Sequence, residues 1–490
     1  MTDTARRSTA RRALGAARRR WRNRNSPLLS VVVPVYNAAD LVEESLQSVL
    51  DQQYRSIEIV VVDDGSTDDS LAVVRAFAER HPEVTVLSQP NGGVGVARRT
   101  GTEAATGEYL TYVDSDDTVT RTGIQVAMDG LRRSGSDVAV MPYQRREGDV
   151  VRPPAPWIRA VHAQPAEAVT LAERPDVLVS AIPGGKIFRR AFWDEHGFVY
   201  PTVLLAGDQR VAAEAFLKAR SLDITGVPAY TWRRMETSIS QGHVTAAAVH
   251  ARHDAMDAVL EILEPLPVAR EERILQYLRY NIPNSLLKLE RADDDYLDAL
   301  VERVPTIVRA APSDRYASEV PAQYRVLHAL LAAGDRDAVW RFVRAEGMQP
   351  EMHPSGREPA GTTVYLPGWG VDAVDPAAYV LTDEQTAARA LVRSVRADGA
   401  DLVLDVAAWF TNGELVAPEL TVKTDGDIAD VVHAGEPHVV SSRQGAQRRY
   451  AGSGWEVTLR GVGRRAPRTV TVTLEDGTRS GTASASIPRL

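Results

Sequence analysis

Four short apolar runs, each breaking off into polar or acidic residues and separated by segments of helical spacing, narrow the folds open to this chain. Residues 30–35 read Ser-Val-Val-Val-Pro-Val and residues 57–62 Ile-Glu-Ile-Val-Val-Val, with shorter runs at 84–87 and 109–113. Strands this continuously apolar are expected in a sheet covered on both faces. Pro34 has no N–H for a ladder, so the first strand is expected to stop there. Between the runs, residues 40–53 place Leu41, Leu46, Val49 and Leu50 on one helical stripe, with Glu43 and Glu44 in the first turn. A second helix, capped by Thr67 or Asp68, carries Leu71, Val74 and Phe77 inward, and a third spans 96–105. Alternation of strand and helix means an α/β domain, doubly wound around a mostly parallel sheet.

In such a sheet the ligand sits beyond the carboxyl ends of the strands. Residues 34–37, 63–68, 91–95 and 114–117 all lie at those ends and should converge on one crevice. The last group carries the sharpest chemistry: Asp114, Asp116 and Asp117 are three acids within four residues. Such a concentration of charge is costly unless something positive answers it. A Mg²⁺ or Mn²⁺ ion holding a nucleotide diphosphate would do so, because hard cations favour oxygen ligands. The bland alternative is a polar turn after a strand.

The remaining sequence divides by pattern. Residues 123–133 read as a helix, 137–143 as a strand, 151–165 as a proline-rich loop or flap and 186–196 as a helix. Helical spacing alone runs from 245 to 348, with breaks at Pro265, Pro283 and Pro312, and a Pro/Gly-rich linker follows at 349–361. Strict alternation at 401–406, 455–460 and 469–474 then indicates an antiparallel β-sandwich of immunoglobulin-like size over 362–490. At 490 residues, two or three domains are expected. There is no cysteine, which excludes disulfides and thiolate metal sites and fits a reducing, cytosolic setting. No apolar run is long enough to span a bilayer. The net charge is −8, yet residues 1–27 hold nine arginines against the single acid Asp3. This stretch reads as a disordered basic tail; the alternative is a short helix lying on an anionic membrane through Leu14 and Trp21. No nucleic-acid module follows it, so nucleic acid is not an expected partner.

The motifs Val33-Pro34-Val35-Tyr36-Asn37, Val62-Asp63-Asp64-Gly65-Ser66-Thr67-Asp68, Asn91-Gly92-Gly93-Val94-Gly95-Val96-Ala97-Arg98 and Val113-Asp114-Ser115-Asp116-Asp117 together resemble those of the family-two inverting glycosyltransferases of the GT-A fold. The resemblance covers residues 30–240 and implies a UDP-sugar donor with Mn²⁺ or Mg²⁺ as cofactor. It implies that Pro34 and Tyr36 frame the uracil, with Asn37 beside them. It places Asp64 on the base N3–H with Asp63 nearby, and Asn91, Gly93 and Arg98 against base or ribose. Asp114 and Ser115 fall at the ribose or metal, and Asp116 at the metal bridging the two phosphates. Asp117 is left to support the loop.

The family's catalytic base lies in a Glu-Asp or Glu-Asp-Gln motif. Asp208 aligns with it, followed by Gln209, whereas Gly207 stands where Glu is common. Arg233, Ser238 and Ser240 match a family segment that contacts diphosphate or acceptor. The three-part layout, with domains at 28–244, 245–348 and 362–490, resembles the wall-teichoic-acid glycosyltransferases. That likeness implies a glycan or polyol-phosphate acceptor, action at the inner membrane face and assembly, commonly as a trimer, through the last domain. Carbohydrate binding is the other role open to that domain. Other readings are a capsule or lipid-linked oligosaccharide transferase, or a catalytically silent nucleotide-binding scaffold.

Overall fold

The structure is a computed structural model that describes residues 26–202, 207–234, 244–292, 294–370, 374–399, 401–412, 418–424, 427–432, 438–441, 447–450, 453–460, 469–476 and 479–487. The basic stretch up to residue 25 and the site candidates Ser238 and Ser240 lie outside them. The chain divides into two compact units, one reaching to Gln276 and including Arg291–Tyr296, the other formed by Tyr277–Glu290 and the residues from Leu297 on.

In the first unit the strands are β1 (Leu29–Val35), β2 (Ile57–Asp63), β3 (Val84–Ser88), β4 (Tyr109–Tyr112), β5 (Thr118–Val119), β6 (Val138–Val140), β7 (Tyr143–Glu147), β8 (Val150–Arg152), β9 (Ala166–Val169), β10 (Lys186–Arg189), β11 (Leu222–Ile224) and β12 (Tyr230–Arg233). Helices α1 (Val42–Asp51), α2 (Ser70–Arg80), α3 (Val94–Ala104), α4 (Gly123–Ser134), α5 (Pro156–His162), α6 (Arg190–His196), α7 (Gly207–Lys218), α8 (Ala246–Ile262) and α9 (Pro267–Gln276) complete it.

The eight-stranded sheet has the order β3-β2-β1-β4-β10-β6-β11-β9. Its first four strands are parallel, as the apolar runs imply. Every residue of β1 is buried, and α3 packs on it so closely that a Cβ on Gly101 would come 2.4 Å from the Val32 side chain. Burying each Val or Ile of this core stabilises the fold by about 1.5–3 kcal/mol. On α1, Val42, Leu46 and Val49 form the buried stripe. The second helix is capped from outside: Asp68 Oδ1 accepts from the Ser70 amide at 2.9 Å.

Three expectations are corrected. First, β1 runs through Pro34 to Val35, with Pro34 opposite Val62. The Val35 carbonyl faces β2, accepting from Asp64 N, and the Val32 carbonyl faces β4, accepting from Val113 N. By alternation the Pro34 nitrogen faces the β4 side, where pairing has already ended at Val32. Second, residues 186–196 are not one helix. Lys186–Arg189 is a strand inserted antiparallel between β4 and β6, and only Arg190–His196 is helical. The sheet is therefore mixed. Third, 151–165 is not simply a loop, because Val150–Arg152 pairs with β7 and Pro156–His162 is a helix with Ile158 and Val161 buried. A small second sheet, β5-β12-β7-β8, lies beyond β4 in sequence and brings residues 230–233 to the end of the acidic turn.

The helical stretch expected at 245–348 is divided between the units. Within that stretch α9 passes through a π-helical turn, Tyr277–Asn281, into α10 (Ile282–Leu286), and Pro283 sits in the first turn of that helix, where its missing N–H costs nothing. Next comes α11 (Asp294–Arg309), whose residues from Leu297 on belong to the second unit, and that unit continues with α12 (Ser313–Glu319), α13 (Ala322–Ala332) and α14 (Arg336–Arg344). Residues 349–361 contain a 3-10 turn, Pro350–Met352, and β13 (Ser355–Glu358), which pairs with β14 (Gly361–Val364).

After the short helix α15 (Asp383–Thr386) come β15 (Ala388–Asp398), β16 (Asp401–Phe410), β17 (Pro418–Lys423), β18 (Asp427–Val432), β19 (His438–Ser441), β20 (Gln447–Tyr450), β21 (Gly454–Arg460), β22 (Thr469–Asp476) and β23 (Arg479–Ser486). They form antiparallel sheets of order β15-β16-β21-β18 and β17-β22-β23, with β19-β20 as a separate pair. Leu404, Val406, Trp455 and Val457 of the four-stranded sheet share one apolar cluster with Val422, Val470, Val472 and Leu474 of the three-stranded sheet. The alternation expected here is therefore present as two antiparallel sheets.

Candidate active site

The carboxyl ends of β1 and β2 build one side of the crevice. Tyr36 stands half exposed at its mouth. Asn37 adopts a positive φ of 49° and ties the two loops together. Its Oδ1 accepts from the Thr67 amide at 2.8 Å, and its own amide donates to Ser66 Oγ at 3.1 Å. Asp64 is 2% exposed, and its carboxylate gathers the glycine-rich loop. Oδ1 accepts from Gln89 Nε2 at 2.7 Å and Gly92 N at 2.9 Å, and Oδ2 from Gly93 N at 2.8 Å. Gly93 must be glycine or strained at φ 87°, and it starts α3. Beside it Asn91 is exposed. Asp63 accepts from Ser88 Oγ at 3.2 Å, while its Oδ1 is buried with no hydrogen-bond partner among the described residues.

Arg98 is engaged with the acidic turn. Its guanidinium is buried, forms an ion pair with Asp114 Oδ1 at 2.6 Å and lies 5.1 Å from the centre of the Tyr200 ring. It thereby fixes the first acid of the turn. Asp114 and Asp116 are partly exposed, as is Ser115, whereas Asp117 is 3% exposed. The Asp117 carboxylate accepts from the Tyr230 hydroxyl and, at 2.7 Å, from the Arg233 amide. Burial and then the charges of Asp114 and Asp116 push its pKa up to about 8. Burial and Asp114 likewise raise Asp116. The Arg233 guanidinium pairs with Glu44 Oε2 at 2.6 Å, and Arg146 joins the same carboxylate at 2.5 Å.

Asp208 enters from the first turn of α7, where its Oδ1 accepts from Gln209 N at 3.0 Å. Burial raises its pKa, and the charges of Arg98 and then Lys186 act against that rise. Gln209 faces another element: its Oε1 accepts from Arg273 at 2.7 Å, which anchors α7 to α9. Arg98 and Asp114 are thus paired, and the charges of both act on Asp208; Tyr200, beside Arg98, and Lys186, whose charge also acts on Asp208, were left out by motif reading. Lys186 fell inside a stretch read as helical, and Tyr200 belongs to no motif. Among the described residues no three His, Asp or Glu side chains are arranged to hold an ion by themselves.

Comparison with known proteins agrees with this geometry. Residues 30–197 match the family described as Glycosyl transferase family 2. YibD of Escherichia coli, named as an uncharacterized glycosyltransferase, is 40% identical over 111 residues, which are 23% of this chain and 32% of that protein. The poly(ribitol-phosphate) beta-N-acetylglucosaminyltransferase TarS of Staphylococcus aureus is 28% identical over 301 residues, 57% of this chain and 51% of TarS. The chain thus spans between a third and about half of the length of these relatives. A crystal structure of TarS shares the fold across 94% of this chain and 78% of the other, with a TM-score of 0.60 at 18% identity. TarS 1–349, solved with UDP-GlcNAc, covers 69% of this chain and 96% of its own, with a TM-score of 0.55 at 23% identity. The α/β fold, its crevice and the matched motifs converge on one assignment: residues 30–197 are a glycosyl transferase family 2 domain of the GT-A type.

Proposed function

We propose that the chain is an inverting glycosyltransferase that moves a sugar from a UDP-sugar to a hydroxyl of a cell-envelope polymer, of the polyol-phosphate or polysaccharide class. One observation carries the reading: Asp208, the candidate base, shares its electrostatic surroundings with Arg98 and Asp114 at the end of β4. Relatives support the substrate class, since TarS is named for a poly(ribitol-phosphate) acceptor and was solved with UDP-GlcNAc.

Asp114 and Asp116 suit a divalent cation. The pKa of Asp116 is raised by burial and by the Asp114 charge, a repulsion that a cation would relieve. Two carboxylates plus two phosphates is the donor set that Mg²⁺ or Mn²⁺ favours. When bound, such an ion offsets the negative charge of the departing diphosphate. The acceptor hydroxyl attacks the anomeric carbon in line, forming the new C–O bond. The bond to the diphosphate breaks, its electron pair leaves with UDP, and the hydroxyl proton passes to Asp208. The raised pKa of Asp208 makes it a stronger base than an ordinary aspartate.

In this reading residues 28–244 catalyse, and the helices after 245 link them to the C-terminal sheets. Those sheets form an immunoglobulin-like module that assembles copies, as a trimer, or grips carbohydrate. The enzyme works in the cytoplasm against the inner membrane face, held there by its basic N-terminus. Gly207 favours a second reading, a nucleotide-binding scaffold without turnover, because it leaves Asp208 without the companion carboxylate of the family motif. UDP release from UDP-GlcNAc and other UDP-sugars, with Mn²⁺ and a panel of polyol-phosphate polymers, separates the two. Transfer that disappears in Asp208→Asn with donor affinity kept supports the enzyme; donor binding without transfer to any acceptor supports the scaffold.

A further inference from the structure

Tyr230 opens β12, is fully buried, and brings its hydroxyl to both ends of the acidic turn. The hydroxyl donates to Asp117 Oδ2, and the same oxygen lies 3.4 Å from Asp114 N and 3.4 Å from Asp114 Oδ2. A phenol has one proton and two lone pairs. The proton is committed to Asp117, the nearer carboxylate, which leaves the oxygen to accept from the Asp114 amide. Ser115 and Asp116 are bracketed between these two contacts. Arg98 reaches Asp114 alone, and the Arg233 amide reaches Asp117 alone. The ring itself has little freedom. A Cβ on Gly184 would lie 2.0 Å from it, so glycine is what lets the phenol pass. Tyr230 also pairs with Val119 of β5 and Tyr143 of β7, and the preceding carbonyl, of Ala229, accepts from Thr120 N at 2.9 Å. The hydroxyl is thus held from both sides of its strand, at one point against the turn.

We propose that Tyr230 is the positioning residue of the acidic turn, clasping Asp114 and Asp117 so that Asp114 and Asp116 keep their places for one divalent cation. The inference rests on the reading of Asp114 and Asp116 as the acids that hold such an ion. Asp117 has a different task in it: 3% exposed and hydrogen-bonded through both oxygens, its carboxylate is answered inside the turn. Groups already fixed in place bind without the entropy cost of ordering them. Removing a partner that orients the groups around a metal typically costs about 10- to 100-fold in its affinity.

The test is Mn²⁺ binding to the full chain with UDP present, read from the electron paramagnetic resonance signal of free Mn²⁺, in wild type, Tyr230→Phe, Asp117→Asn and the double variant. Tyr230→Phe keeps the ring against Gly184 and removes only the hydroxyl. It is expected to weaken Mn²⁺ binding about 10- to 100-fold. The Mn²⁺ needed for half-maximal UDP-sugar turnover should rise by the same factor, with a smaller loss of kcat at saturating ion. Asp117→Asn opens the clasp from its other side, so the double variant should bind little worse than the weaker single one, as for two groups joined by one bond. Mn²⁺ held as tightly by folded Tyr230→Phe as by wild type overturns the proposal, and so do losses that simply multiply in the double variant. Failure of Tyr230→Phe to fold with UDP present also overturns it, by making the hydroxyl a folding group. Wild type that binds no Mn²⁺ beside UDP would instead overturn the cation reading itself.

Discussion

The two sides of the crevice are built on opposite principles. At the ends of β1 and β2, Asp64 is a buried carboxylate satisfied by amide donors from Gln89, Gly92 and Gly93. At the end of β4, Asp114, Asp116 and Asp117 crowd one another, and the last two have raised pKa values. The first side is a finished shape in which neutral dipoles solvate one anion. The second is an unbalanced charge, only partly answered by Arg98. A satisfied anion can define the outline of a pocket without ligand, whereas excess negative charge favours a cation beside it. Form and charge are thus assigned to different strands.

If that contrast holds, substitutions on the two sides must fail differently. Asp116→Asn should have the largest effect, lowering transfer about a thousandfold and removing the response of turnover to Mn²⁺, since metal stabilisation contributes several kcal/mol. Assays with graded Mn²⁺ check this; a variant still activated by the ion would break the comparison. Asp64→Ala should act through shape, leaving the Gly92 and Gly93 amides unpaired at about 1–3 kcal/mol. Calorimetric titration with UDP should show roughly 10- to 100-fold weaker binding, equally so at pH 6 and pH 8.

A third variant tests the support of the acidic side. A Cβ on Gly184 would lie 2.0 Å from the Tyr230 ring, whose hydroxyl donates to Asp117. Gly184→Ala should therefore destabilise the first unit by about 1–3 kcal/mol, read as a lower urea midpoint, with turnover reduced as Tyr230 shifts. The smallest effect is expected for Asn37→Ala, which loses the bonds to Thr67 and keeps a positive φ. About 1 kcal/mol of stability should go, measured as a Tm lower by a few degrees, while kcat stays near wild type.

Which parts were legible from sequence follows the same division. The parallel core was readable because continuous Val and Ile runs have little choice but a doubly covered strand. Asp114, Asp116 and Asp208 were readable as candidates because acids at strand ends and helix starts stand out locally. The strand Lys186–Arg189 was not, since four residues of mixed character continue into a real helix with no punctuation between them. Nor were the partners of the acids. Arg233 and Asp117 are 116 positions apart, and which cation Asp114 takes is decided by the packing of α3 on β1. Arg98 stood out as a basic residue in a nucleotide motif, but its pairing with Asp114 was not readable.

The link between the acidic turn and β12 also has an optical consequence. Trp232 directly precedes the amide that Asp117 engages, and its ring sits edge-on to Tyr143 at 6.1 Å. Charge arriving at the turn alters the field around this half-buried indole, whose emission wavelength follows its surroundings. The difference in fluorescence between wild type and Trp232→Phe isolates its signal from the other seven tryptophans of the chain. The molecule thus carries its own dye for following the loading of the crevice, with no label attached.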